Sequence, residues 1–201
     1  VVTAELPPGP YRIILADPPW AFRVRSAKGM GRSAEQHYRT LSPGEIRDID
    51  VGAISAPDAV LFLWVTDPFL EDGMSLGRHW GFTYRTVAFT WVKTGRDGRG
   101  FPMGTGYWTR ANPELCLLFT RGRIGRAPGA TDVARLVVAP RREHSRKPDE
   151  VVDRIDRLMG PEGARIELFA RTPRQGWDAW GDQVGRFGVP VPGLGEGEVA
   201  A

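Results

Sequence analysis

Residues 59–66 read Ala-Val-Leu-Phe-Leu-Trp-Val-Thr, with no charge anywhere in the run. A strand with one face in water alternates apolar and polar side chains, whereas an unbroken apolar run needs cover on both faces. The run therefore predicts a central strand in a sheet with helices above and below. Further β-rich runs occur at 11–16, 83–93, 114–120, 135–139 and 165–170.

Helix signals fall between these runs. Ser42-Pro43-Gly44-Glu45 combines a capping box with proline at the first helical position. Residues 67–80 carry a partial apolar stripe of Phe69, Leu70, Met74 and Leu76, closed by Gly81. Residues 148–159 form the clearest helix: Pro148 at its start, Asp149 and Glu150 facing the positive end of its dipole, and Val151, Val152, Ile155, Leu158 and Met159 on one side. Strands alternating with helices predict an α/β fold, a mostly parallel sheet with helices on both faces. The 201 residues suit one domain, expected over 1–187. The Gly- and Pro-rich stretch 188–201 predicts a flexible C-terminal tail. Residues 21–36 and 94–106 read as long loops.

Composition removes several function classes. Cys116 is the single cysteine, so neither an intramolecular disulfide nor a cysteine-based zinc site is available. His37, His79 and His144 have no metal-ligand spacing, and no metal is expected. No apolar stretch approaches membrane-spanning length and the start does not read as a signal peptide, so a cytoplasmic location is expected. There is no Walker loop, which argues against a nucleotide hydrolase. The net charge of +3 permits an anionic partner without demanding one.

In parallel sheets the ligand sits beyond the carboxyl ends of the strands. That rule singles out the loops after Ala16, Ala139 and Ala170. The first of them opens Asp17-Pro18-Pro19-Trp20. Two prolines stiffen the backbone and aim its carbonyls, while tryptophan offers a flat face. Such a loop suits an exocyclic amine on a nucleobase: a carboxylate and a carbonyl accept its two N–H bonds, and the ring packs on the indole. Two fixed acceptors would also stabilise the positive charge that grows on the amine as it attacks a methyl donor. The plain alternative is a proline turn beside a buried tryptophan.

The tetrapeptide is followed by HYRTLSPGEI (37–46), LFLWVT (61–66), WVKTG (91–95), TGYWTRANPELCLLFTRG (105–122), HSRKPDE (144–150) and IELFARTPRQGWDAWGDQ (166–183). In this order the motifs resemble the MT-A70 family of S-adenosylmethionine-dependent adenine N6-methyltransferases, over roughly residues 11–187. The resemblance implies a Rossmann-like methyltransferase fold in permuted motif order, with the catalytic tetrapeptide ahead of the cofactor-binding strand.

It also implies roles. Asp17 and the Pro18 carbonyl would hold the target amine, with Pro19 shaping the turn and Trp20 packing the base. Asp17, Ser145, Lys147, Phe169, Arg171, Asp182 and Gln183 would surround S-adenosyl-L-methionine, with Ser145 and Lys147 at its carboxylate and Arg171 at its ribose. The family usually has Asn where this chain has Asp182, and TPRQ (172–175) lacks the His-Asn pair of some eukaryotic members. Tyr38, Tyr107, Trp108, Arg110 and Glu114 would face the substrate; lid packing for the aromatics and a simple exposed charge for Glu114 are the alternatives. Arg23, Arg25, Arg32, Arg96, Arg99, Arg110, Arg141 and Arg142 are candidates for phosphate contact, or ordinary solvated charges.

The implied activity is adenine N6 methylation of nucleic acid, DNA favoured over RNA. A non-catalytic nucleic-acid-binding partner of an active enzyme is the rival from another class; it is disfavoured because the tetrapeptide, Lys147 and Arg171 are all present. Methylation of a different planar amide or amine is a third reading. Target specificity is expected from the chain's own loops, a homodimer or a heteromeric partner.

Overall fold

The structure is a computed structural model and describes residues 5–21, 40–125, 127–142 and 146–185. In chain order the elements are β1 (Tyr11–Ala16), α1 (Pro43–Arg47), α2 (Val51–Ile54) and β2 (Ser55–Val65). A 3-10 turn (Asp67–Phe69) then leads into α3 (Leu70–His79), β3 (Thr83–Thr94), β4 (Glu114–Arg121) and β5 (Leu136–Pro140). The last elements are α4 (Glu150–Met159), β6 (Arg165–Leu168) and β7 (Asp178–Trp180).

The seven strands among the described residues form one sheet, ordered β5-β3-β4-β2-β1-β6-β7. β1 runs parallel to β2 and β6, β6 to β7, and β3 to β5. β4 alone is reversed, antiparallel to both β2 and β3. The mostly parallel α/β sheet expected from the apolar runs is present.

Alternation along the central strands divides the core in two. Leu61, Leu63 and Val65 of β2 join Ile14 and Ala16 of β1 on the face covered by α1, α2 and α3. Val60, Phe62 and Trp64 join Ile13 and Leu15 on the face covered by Val151, Val152 and Ile155 of α4. Burying a side chain such as Phe62 or Leu63 contributes about 1.5–3 kcal/mol, and β2 does this on both faces at once. That is the physical reason its sequence shows no polar alternation.

The stripe proposed for residues 67–80 needs correction. Leu76 is buried and Phe69 and Met74 pack partly against the core, but Leu70 is exposed, and α3 also buries Gly73 and Gly77. A Cβ at Gly73 would run into Val65, and one at Gly77 into the Phe119 ring, so the helix lies close against the sheet through its glycines. Ser42 does cap α1: its Oγ accepts from the Glu45 amide at 3.2 Å while Glu45 accepts from the Ser42 amide at 2.8 Å. Among the described residues no helix is long and apolar enough to cross a membrane. The expected tail, 188–201, lies outside the described residues.

Candidate active site

β1 and β6 are parallel neighbours in register, with Ala16 opposite Leu168. The residues that follow each strand therefore emerge at one sheet end. Because β4 is reversed, its first residue, Glu114, lies at that same end, beside the last residues of β3. This is how side chains far apart in sequence come to share a cleft lined by Asp17, Trp64, Lys147, Glu167, Phe169, Arg171 and Arg174.

Lys147 is the hub. Its ammonium lies 2.7 and 2.8 Å from the two oxygens of Asp17 and 3.2 Å from Glu114 Oε2. It also sits 5.4 Å from the centre of the Trp64 ring, a cation–π contact. Burial would lower the Lys147 pKa, but the carboxylates of Asp17 and Glu114 hold it above its ordinary value. Arg171 reaches Asp17 Oδ2 at 3.5 Å. Glu114 is buried and pairs with Lys93 through its other oxygen, at 2.6 Å. Burial pushes the Glu114 carboxyl up; Lys147 and Lys93 outweigh it and bring it below the usual range.

The Asp17–Trp20 loop is tightly held. The Trp20 amide donates to the Pro18 carbonyl at 2.8 Å, and the Leu41 amide to the Pro19 carbonyl at 2.9 Å. One lone pair of the Pro18 oxygen is thus already in use, and a second remains. Trp20 is only 8% exposed; its ring stacks on Phe69 at 5.2 Å and its Nε1 donates to the Trp64 carbonyl. One indole face is committed to Phe69, which narrows the base-packing role expected of it.

Just after β6, Phe169 has φ 61°, a left-handed conformation that is strained for a side chain of its size. The backbone of Phe169 and Ala170 passes so close to Gly181 that a Cβ there would lie 2.9 Å from the Phe169 Cα. The strained turn ends β6 abruptly and delivers Phe169 and Arg171 to the cleft.

Other expected residues fall elsewhere. Tyr107 and Trp108 are 87% and 90% exposed and do not line the cleft; they stand on the loop between β3 and β4, with Arg96, Arg99 and Arg110 also exposed on it. Asp182 is exposed and Gln183 half-buried, just beyond β7 and outside the cleft lining. Arg141 is exposed, whereas Arg142 is tied to Asp149 at 2.6 Å and so is not an open phosphate contact. Tyr38, Ser145, Arg23, Arg25 and Arg32 lie outside the described residues.

Sequence reasoning missed Lys93, Trp64, Glu167 and Arg174. Among the described residues, Glu167 Oε2 and Arg174 Nε are both buried without a hydrogen-bond partner, 3.5 Å from each other, on residues that line the cleft. Burial raises the Glu167 carboxyl to about 7, against the opposing pull of Arg174. An acidic residue inside an otherwise apolar strand, Ile166-Glu167-Leu168, was the one available signal.

The MT-A70 family model matches residues 11–183, most of the chain. The chain belongs to the MT-A70 family. It is 36% identical over 210 aligned residues to the Type II methyltransferase M.MunI of Mycoplasma sp, covering 97% of this chain and 87% of that protein. It is also 34% identical to the N(6)-adenosine-methyltransferase MT-A70-like protein of Arabidopsis thaliana, covering 88% of this chain. With the catalytic subunit METTL3 of the Homo sapiens N(6)-adenosine-methyltransferase the identity is 32%, again over 88% of this chain. This MT-A70 chain spans only about a quarter of the two eukaryotic proteins, 24% and 28% of their lengths. Its seven-stranded sheet agrees with a Rossmann-like methyltransferase fold, and the family implies a methyl donor of the S-adenosylmethionine type.

Proposed function

We propose that this MT-A70 chain transfers the methyl group of S-adenosyl-L-methionine to N6 of adenine in nucleic acid, with DNA as the favoured substrate. The observation that carries the reading is the meeting of Asp17, Lys147 and Arg171 at one end of the sheet, from three segments up to 154 positions apart. The preference for DNA follows the match to a Type II methyltransferase along nearly all of its length.

The residues present fit such a donor. Lys147 and Arg171 supply cations for its carboxylate and hydroxyl groups. Asp17 supplies an anion for its positive centres, and Glu167 a buried carboxyl that an adjacent cation would favour in its ionised form. The orphaned oxygen of Glu167 and nitrogen of Arg174 are an acceptor and a donor already desolvated in the cleft, where pairing recovers the most free energy. Ser145, Asp182 and Gln183 complete the proposed cofactor set, and Phe169 forms part of the wall.

When bound, the donor supplies an electrophilic methyl group on sulfur. The chain's own groups do the rest by placement. One Asp17 oxygen and the free lone pair of the Pro18 carbonyl accept the two N–H bonds of the target amine and draw its nitrogen lone pair out of conjugation. As charge grows on that nitrogen, both acceptors strengthen their hold. The methylated amine then gives its extra proton to Asp17 or water. The Phe69-backed indole of Trp20 is a rigid wall for the base. Glu114, Tyr38 and the exposed Tyr107, Trp108 and Arg110 make up the nucleic-acid side.

The test is to incubate the protein with labelled S-adenosylmethionine and matched DNA and RNA strands, and to measure N6-methyladenine beside Asp17→Ala. Transfer to DNA exceeding that to RNA and lost in Asp17→Ala is expected. A wild-type chain that binds no S-adenosylmethionine in calorimetry sinks the reading. Transfer undiminished in Asp17→Ala sinks the mechanism but leaves the activity standing.

A further inference from the structure

We propose that Lys93 is a positioning residue, which by holding Glu114 sets how Lys147 is shared between Asp17 and the carboxylate of the methyl donor. The inference rests on the methyltransferase reading above and extends it to a residue outside the cleft lining.

The side chains form one alternating line of charge. Lys93 Nζ lies 2.6 Å from Glu114 Oε1, Glu114 Oε2 lies 3.2 Å from Lys147 Nζ, and Lys147 Nζ lies 2.7 Å from Asp17 Oδ1. They come from the end of β3, the start of β4, the segment before α4 and the segment after β1. Among the described residues, Lys93 and Lys147 face Glu114; beyond Lys147 stand Asp17 and, 3.5 Å from Asp17, Arg171.

The two lysines divide one carboxylate. With Lys93 in place, each Glu114 oxygen serves one ammonium. Without Lys93, the whole charge of a carboxylate only 8% exposed acts on Lys147. Lys147 is then drawn towards Glu114, away from Asp17 and from an incoming carboxylate. The interior screens such attraction far less than water does, so the redistribution reaches Asp17.

Lys93 is also held by its main chain. Asn112 Oδ1 accepts from its amide and Asn112 Nδ2 donates to its carbonyl, each at 2.9 Å. Its ammonium rests 5.4 Å from the centre of the Trp91 ring. The same Asn112 amide donates to the Pro102 carbonyl at 2.7 Å, so the exposed loop between β3 and β4 is anchored at Lys93. Glu114 sits below the usual carboxylate range because two ammoniums outweigh its burial. Removing one lets its carboxyl rise, and the acid limb of the reaction should move towards neutrality.

The experiment compares wild type, Lys93→Met and Lys93→Arg. It reads kcat, KM for S-adenosylmethionine, calorimetric affinity, and the rate profile between about pH 5 and 9. Lys93→Met should raise KM and Kd about three- to tenfold and shift the acid limb upward in pH. Lys93→Arg should restore both, because the charge returns. A purely structural lysine would lower Tm or active fraction and leave KM, Kd and the pH profile where they were; that outcome overturns the inference. Failure of Lys93→Arg to restore them overturns it as well. If Lys93→Met does not fold, Lys93→Gln is read by the same criteria. A wild-type chain without methyl transfer defeats the underlying reading, whereas an active wild type with an indifferent Lys93→Met defeats this inference alone.

Discussion

Lys147 Nζ lies within 2.8 Å of both carboxylate oxygens of Asp17, 130 positions away in the chain. The pair is mostly buried, with side chains 15% and 19% exposed. A buried pair of this kind stabilises little against an apolar replacement of both partners, but losing one partner leaves a desolvated charge. Its value lies in placement, since the two groups that a methyl donor and a target amine would need are already in contact.

Lys147→Met should therefore destabilise the fold by about 2–4 kcal/mol near neutral pH, because Asp17 and Glu114 lose their shared cation. Adding Asp17→Asn should recover part of that loss. Urea denaturation of the single and double variants checks it; a double variant as unstable as the sum of its parts would mean the two residues do not interact.

Glu167 carries a pH signature. Its carboxyl is raised from an ordinary 4.5 to about 7 in the fold, so the native state holds that proton more tightly than the unfolded chain. Stability should then fall as pH rises from about 4.5 to about 7 and stay lower above. Glu167→Gln escapes the penalty. It should equal wild type near pH 4.5 and exceed it at pH 8, by up to about 3 kcal/mol. Denaturation curves at the two pH values decide this, and a variant no more stable than wild type at pH 8 counts against it.

Arg165 is buried at the start of β6. It donates to Asp156 at 3.0 Å, to the Gly163 carbonyl at 2.8 Å and to the Gly160 carbonyl. Arg165→Met strands these acceptors and should cost about 2–4 kcal/mol. Methyl transfer per folded molecule should hold, since the residue lies at the end of β6 away from the cleft. Thermal melts with active-site titration separate the two effects.

Trp108 is 90% exposed, so Trp108→Ala should leave Tm and S-adenosylmethionine affinity unchanged. If its ring stacks on a base, nucleic-acid affinity should fall by about 1–3 kcal/mol, roughly five- to 150-fold. Fluorescence anisotropy with labelled single strands measures the change, and unaltered binding would remove Trp108 from the interface.

Strand β1 was legible to the residue, because 11–16 is bounded by a proline on each side within two positions. β2 begins four residues before its apolar run, at Ser55, since Pro57 and Asp58 look like a turn when read locally. α2 has four residues and β7 three, too few for a period to show. The helix at α3 was legible, and so was part of its buried face, Leu76 with Met74 and Phe69, but not the rest. Close approach there depends on Gly73 and Gly77, which carry no hydrophobic signal.

The same division holds at the site. Asp17, Glu114, Lys147, Phe169 and Arg171 stand in motifs whose order along the chain marks the family, so sequence alone determined the α/β class, the family and these five converging groups. Only the tertiary structure decided that β4 runs backwards and brings Glu114, with Lys93 beside it, to the end of the sheet where Asp17 emerges. It also decided that Trp64, which reads as plain core packing, lies beneath the Lys147 ammonium, and that Glu167 and Arg174 face each other without satisfying each other. Local patterns encode periodicity, turns and caps. Ion pairs between residues tens of positions apart depend on strand order and direction, which no window of sequence contains.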